Sequence, residues 1–276
     1  MDYVRISDIA EYLGRDYIGT DNVIMDVCPI DDIKLHMMTF VQKYTTLSLE
    51  RINSQVGILV IASTVYGDGQ IKPAHILSDN PKLDFARAFA KFFPPDEELY
   101  RGSFARYYEI PSKNIGEGTV IEAGAIIHNA VIGKNCYIKS GAVIGQKGFS
   151  FAKDANGVPF AMPHRGKVII GDNVEIGACT TVVRGVMSDT IIGDNVKIDD
   201  HVHVAHNVTI GENTMITACT EISGSVKIGK NVWIGPNCSI LNQVEIGDGA
   251  YLCIASVVGK RVKPNTKVYG FPAREV

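Results

Sequence analysis

From Ile192 to Val258, twelve large branched apolar residues recur six positions apart: Ile192, Ile198, Val204, Ile210, Ile216, Ile222, Ile228, Ile234, Ile240, Ile246, Leu252 and Val258. An α-helix repeats its apolar face about every 3.6 residues and a half-buried strand every two, so neither accounts for period six. A second row of small or β-branched residues sits two positions before these, from Val202, Val208, Thr214 and Thr220 through Val226, Val232, Cys238, Val244, Ala250 and Ser256. Gly193, Gly211, Gly229 and Gly247 follow at a period of eighteen. Six residues then make one short strand with its turn, and three such units make a coil that returns to the same face, the sequence signature of a parallel β-helix. The large residue fills the prism, the small one fits beside it, and glycine is expected at corners whose geometry other residues resist.

Upstream the same spacing runs through Ile115, Ile121 and Ile127, then Ile132, Ile138 and Ile144, then Ile170, Ile176 and Val182, interrupted at 146–167 and 183–190. Insertions in a solenoid form loops on one face, often the binding face, although a merely tolerated insertion reads the same way. The longer one carries Phe149, Phe151, Phe160, His164 and Arg165, which suit wrapping a ligand. The first hundred residues follow mixed α/β rules instead. A helix is expected over 7–14, with Ser7 as N-cap and Gly14 as stop, a buried strand over 56–63, and a helix over 80–93 ended by Pro94 and Pro95. The expected division is an α/β domain at 1–98, a linker at 99–112, and a β-helix at 113–276.

Composition narrows the function. With 46% hydrophobic and 21% charged residues, the 276-residue chain supports a large core. A net charge of −3 offers no broad attraction to nucleic acid or anionic membrane, so an anionic ligand needs a local cationic cluster. The six cysteines are dispersed without a C-x-x-C pair, which fits a reducing compartment. No apolar run reaches the roughly 18 residues of a membrane span, and the start lacks a leader pattern. A cytoplasmic protein is expected.

The stretch VKIDDHVHVAHNV holds His201, His203 and His206. In this register Val202 and Val204 point inward, so His203 points outward between them, and His206 sits two past Val204 at a corner. A corner imidazole near its ordinary pKa of about 6.5 can be a general base, a metal ligand or a solvated surface group.

GFSFAKDANG (148–157), PHRGKVIIGDNVEIGACTTVVRG (163–185), SDTIIGDNVKID (188–199) and VAHNVTIGENT (204–214) together resemble the UDP-3-O-acylglucosamine N-acyltransferases of lipid A synthesis. Ahead of them, LGRDYIG, TFVQKY and SDNPKLDFARAFAKFF resemble that family's N-terminal domain, which recognises the nucleotide end of its substrate. The resemblance implies a left-handed β-helix, a homotrimer, and active sites in clefts between subunits. It implies that His206, with Asn207 beside it, is the catalytic base, and that Phe40 stacks on the nucleobase. Gly148 and Phe149 lie in a glycine-aromatic loop near the sugar, and His164 and His203 are placed with them as substrate contacts. The γ-class carbonic anhydrases share the fold, and His201 with His206, five apart, is compatible with a pair of their metal ligands, although neither His128 nor His164 falls cleanly on the position of a third; acyl transfer needs no metal.

The chain departs from the lipid A pattern at several points. Lys43 and Thr46 stand where an asparagine and a tyrosine follow the stacking aromatic, with Tyr44 out of place. Val183 replaces an acid in TVVRG, and Asn242 and Gln243 fall where a second histidine is expected. The ending, VVGKRVKPNTKVYGFPAREV, resembles coenzyme A-dependent sugar acetyltransferases, and Lys260, Arg261 and Lys263 are candidates to hold the phosphates of coenzyme A. The favoured expectation is therefore acyl transfer from acyl-CoA, as co-substrate rather than resident cofactor, to the amine of a nucleotide-linked amino sugar for surface polysaccharide. The lipid A reaction, with acyl carrier protein as donor, is the first alternative, and a carbonic anhydrase-like metalloenzyme or a non-catalytic scaffold follows.

Overall fold

The computed structural model describes residues 4–43, 45–64, 70–94 and 114–275. The expected linker at 99–112 and Tyr44 lie outside the described residues. The chain divides into two compact units: residues 1–99 with 150–163, and residues 100–149 with 164–276.

The first unit is built on a five-stranded sheet in the order Tyr17–Ile18, Ala74–Ser78, Leu59–Ser63, Met37–Val41, Asp26–Val27. The last four pair in parallel and Tyr17–Ile18 is antiparallel. Leu59–Ser63 is buried along its whole length, as expected of an apolar run at the centre of a parallel sheet. Helix α1 (Ile6–Leu13) buries Ile6, Ile9 and Ala10 and stops at Gly14, whose φ of 62° is the left-handed conformation glycine adopts freely. Its N-cap is Arg5 rather than Ser7: the Arg5 N–H donates to Asp8, while the Ser7 N–H and hydroxyl both donate to Asp21. Helix α2 (Thr46–Asn53) follows, capped by Thr45. Helix α3 (Pro81–Phe92) starts at Asn80, whose side-chain oxygen accepts from the Leu83 N–H, and fully buries Phe85 and Phe89.

The longer insertion contributes an antiparallel pair, Phe151–Lys153 with Pro159–Ala161. It packs with α3 in the first unit, and the Asn80 side-chain amide donates to the Lys153 carbonyl at 2.8 Å. The interruption at 146–167 reads in sequence as a loop of the solenoid, but its residues 150–163 belong to the first unit, because their antiparallel pairing has no place in the parallel faces.

The second unit is a parallel β-helix. Its three faces hold six, nine and seven strands among the described residues, and successive coils stack in register. On one face Val182, Val204, Ile222, Ile240 and Val258 follow one another coil by coil. All twelve residues of the period-six row are at most 3% exposed, and the small second row is buried beside them. Burying each such side chain is worth roughly 1.5–3 kcal/mol, so the stacked row is the main source of stability in this unit.

The glycines do a different job from the one expected. Gly193, Gly211, Gly229 and Gly247 do not have positive φ; the left-handed corners fall three residues past the inward position, on Asn195, His201, Asn207, Asn213 and their equivalents. Asparagine visits that region more readily than most residues. Glycine is required instead by the closeness of the coils: a Cβ on Gly211 would lie 2.6 Å from the carbonyl carbon of Gly229 in the next coil. Among the described residues no helix is long and apolar enough to cross a membrane.

Candidate functional site

The corner after Val204 gathers the groups best suited to proton transfer. His206 is half-buried, and the next residue, Asn207, turns the chain with φ 62°. That turn brings the Asn207 side-chain oxygen to 3.0 Å from His206 Nδ1. The orientation of the amide is fixed from the other side: its Nδ2 donates to the carbonyl and hydroxyl of Ser188 at 2.7 and 3.0 Å, and its oxygen accepts from the Val186 N–H at 3.1 Å. The Asn207 N–H donates to Thr190 Oγ1 at 2.9 Å. Because an amide oxygen only accepts, Nδ1 must carry the proton and Nε2 is the basic nitrogen of the neutral ring. The short interruption at 183–190 thus supplies the residues that set the histidine's tautomer.

Two glycine backbones close on the same side chain, Gly224 on its ring and Gly148 on its Cβ. A Cβ on Gly224 would fall 2.7 Å from both Cε1 and Nε2 of His206, so only glycine lets the ring lie against this backbone. A Cβ on Gly148 would lie 3.1 Å from Val183 Cγ2, 3.2 Å from His164 Nε2 and 3.3 Å from His206 Cβ. Gly148 thus lies beside His206, while Phe149 is 88% exposed.

His164 also reaches this corner. Its ring centroid is 6.0 Å from that of His206 with the planes at 82°, and the residue is only 2% exposed, so its ring is offered to His206 rather than to a ligand in solvent. His203, half-buried on the adjoining face, contacts Thr181 Oγ1 through Nδ1 at 2.6 Å and stands beside Glu221 in the sheet register. His201 is an exposed corner residue with φ 58°. Among the described residues no three His, Cys, Asp or Glu side chains gather to hold a metal ion.

At the other two corners aspartates cap some of the outward amides of the coil below: Asp172 accepts from the Lys134 N–H, Asp194 from Asp172, Asp200 from Ala178 and Asp248 from Lys230. At the histidine corner the corresponding residues are Arg184, His206, Gly224 and Asn242; the N–H groups of Gly224 and Asn242 have no hydrogen-bond partner among the described residues, as is also true of Asp194, Asp200, Glu212 and Ala218 at the other corners. Uncapped amides beside an imidazole are ready donors for a developing oxyanion. Gly224 lies eighteen residues, one coil, past His206; that spacing could have named it from the sequence. One coil earlier, Arg184 is 4% exposed, and burial together with the Arg184 charge holds the imidazole of His128 below its usual pKa.

The remaining candidates lie elsewhere. Phe40, on Met37–Val41 of the first unit, is partly exposed and packs on Phe85 with ring centroids 4.9 Å apart. Lys260, Arg261 and Lys263 are exposed near the last coil. Arg261 and Lys263 approach Glu245 and Glu275, each at 3.5 Å. Exposed pairs of this kind are worth about 0–1 kcal/mol and leave the cations open to an anionic ligand.

Coils of this period, stacked in three parallel faces, define a parallel β-helix of the hexapeptide-repeat class, and the likeness to solved acyltransferases makes it the left-handed form. The bacterial transferase hexapeptide (six repeats) family matches residues 112–146, 189–224 and 225–260. Among curated relatives, the UDP-3-O-acylglucosamine N-acyltransferase of Rhizobium johnstonii (strain DSM 114642 / LMG 32736 / 3841) is 31% identical over 254 residues, covering 74% of this chain and 70% of that protein. The protein of the same name from Rhizobium meliloti (strain 1021) is 46% identical over 154 residues, covering 56% of this chain and 44% of its own length. Among solved structures, the UDP-N-acetylglucosamine acyltransferase of Francisella novicida is similar with a TM-score of 0.53 and 28% identity, over 59% of this chain and 58% of that one. The chain belongs to the UDP-3-O-acylglucosamine N-acyltransferase family. It spans 44% of the length of the first curated relatives that it matches.

Proposed function

We propose that the protein transfers an acyl group from a thioester to the amine of a UDP-linked 3-O-acylglucosamine. The relatives' names favour this reaction over the acyl-CoA-dependent step in surface polysaccharide synthesis that the C-terminal motif had favoured. Acyl carrier protein is the donor in this reading. If coenzyme A serves instead, Lys260, Arg261 and Lys263 are the groups available to its phosphates. Phe40 offers a ring for the nucleobase, and the working form is a homotrimer.

The observation that carries the proposal is the bond from His206 Nδ1 to Asn207, which leaves Nε2 as the base. The substrate nitrogen attacks the thioester carbonyl carbon with its lone pair; the C–N bond forms and the carbonyl π electrons move onto oxygen. Nε2 takes the proton that the nitrogen sheds. The uncapped Gly224 N–H stabilises the oxyanion. Collapse of the intermediate breaks the C–S bond, and the imidazolium returns its proton to the departing thiolate. A positioned general base is typically worth about 10²–10⁴ in rate, which is what His206 must supply.

The test is product formation, followed by mass spectrometry, from UDP-3-O-acylglucosamine with either acyl carrier protein thioesters or acyl-CoA. An amide product with acyl carrier protein is expected. Transfer from acyl-CoA alone would restore the earlier donor assignment, and transfer from neither would end the proposal.

A further inference from the structure

We infer that His164 is a positioning residue: its buried ring is the wall that keeps the imidazole of His206 in the one orientation where Nδ1 meets Asn207. The ring of a histidine turns about χ2 unless something stops it, and such terminal torsions have broad, roughly two-fold wells. Three groups stop it here. The Gly224 backbone lies against Cε1 and Nε2, Asn207 holds Nδ1 at 3.0 Å, and His164 meets the ring at 82° with centroids 6.0 Å apart. Edge-to-face placement at this distance is a favoured geometry for aromatic pairs.

His164 is itself held. It is 2% exposed, and the Gly148 backbone packs onto both histidines: a Cβ there would come within 3.2 Å of His164 Nε2 and 3.3 Å of His206 Cβ. His164 lies 42 residues before its neighbour, at the point where the chain resumes the solenoid after the long insertion, so the end of the insertion is fastened to the proposed base. A ring so deeply buried cannot itself present to a substrate in solvent, and its effect passes through His206.

The role in turnover rests on the proposed function, but the positioning does not, and the first measurement needs no substrate. Imidazole nitrogen shifts from long-range ¹H–¹⁵N spectra, recorded at about pH 8.5 where histidine is neutral, report which nitrogen carries the proton. In the unaltered protein His206 is expected to show two well-separated nitrogen shifts, with Nδ1 protonated. In His164→Ala the ring swings, the bond to Asn207 is shared with other orientations, and the two shifts move toward each other. In His164→Phe, which keeps a buried ring, the separation is retained. A folded His164→Ala protein with the original shifts overturns the inference; if that variant does not fold, a folded His164→Phe protein with averaged shifts overturns it and one with the original shifts supports it. With the acyl-transfer assay in hand, His164→Ala lowers kcat about tenfold with KM unchanged, because misplacing a reacting group acts on the chemical step, and His164→Phe restores it. Absence of acyl transfer in the unaltered protein would count against the proposed function and leave the spectra to decide the role of His164.

Discussion

Replacing Asn207 by glycine separates the side chain's role from that of its backbone. Glycine adopts φ near 62° without strain, so the corner survives, while four side-chain contacts vanish: those to His206 Nδ1, Val186 N, Ser188 O and Ser188 Oγ. Each such bond contributes roughly 0.5–1.5 kcal/mol net, and solvent replaces part of that at a half-exposed corner, so the expected loss of stability is about 2–3 kcal/mol. The effect on turnover has a separate origin. Without the amide oxygen the neutral ring divides between its tautomers and loses its fixed orientation, and kcat is expected to fall about 10- to 100-fold, equivalent to about 1.4–2.7 kcal/mol of barrier. KM should change little, since Asn207 acts through His206. Thiol release under saturating substrate gives kcat, and thermal melting gives stability. Asn207→Asp keeps an acceptor facing Nδ1 but places a second oxygen against the Ser188 carbonyl, so it should recover most of the turnover while remaining less stable. A folded Asn207→Gly protein with kcat within about twofold of the original would refute the tautomer argument.

Two further outcomes follow from the fold. Ile222→Ala removes a fully buried side chain between Val204 and Ile240 and should destabilise the β-helix by about 2–5 kcal/mol in denaturant titration, because stacked coils cannot collapse into the void; a loss below about 1 kcal/mol would contradict a close-packed prism. His128 has its folded pKa lowered from 6.5, first by burial and then by Arg184, so the unfolded chain binds more protons just below that value. The contribution is present above pH 6.5 and lost as pH falls toward the folded pKa. The melting temperature of the unaltered protein should therefore drop relative to that of His128→Asn on acidification from about pH 7.5 to 5.5, and an unchanged difference would remove the argument.

Much of the second unit is legible in the sequence because a β-helix presents one large residue in six, with a small one two positions before it, to its axis. Ile192 through Val258 are buried on that rule alone. The same period says which residues face inward, not how tightly neighbouring coils approach, and that is why Gly211 reads as a corner residue until its distance from Gly229 is known. His206 can be placed at a corner by counting from Val204. Asn207 and Gly224 follow from the same count, but the other groups around His206 come from outside it: Ser188 and Val186 from the short interruption, Gly148 and His164 from the ends of the long one. Out-of-period residues carry no register, so no spacing brings them to His206. The pair Phe151–Lys153 and Pro159–Ala161 is not legible for a related reason: its partner α3 lies some seventy residues upstream.

Acyl transfer at this corner depends most heavily on Nε2 of His206 as the proton acceptor. The direct measurement is the single-turnover rate of amide formation by His206→Gln, with substrate binding monitored in parallel by thermal shift. Binding should persist while the rate falls at least about 100-fold. A variant that forms amide within about threefold of the original rate would contradict the assignment.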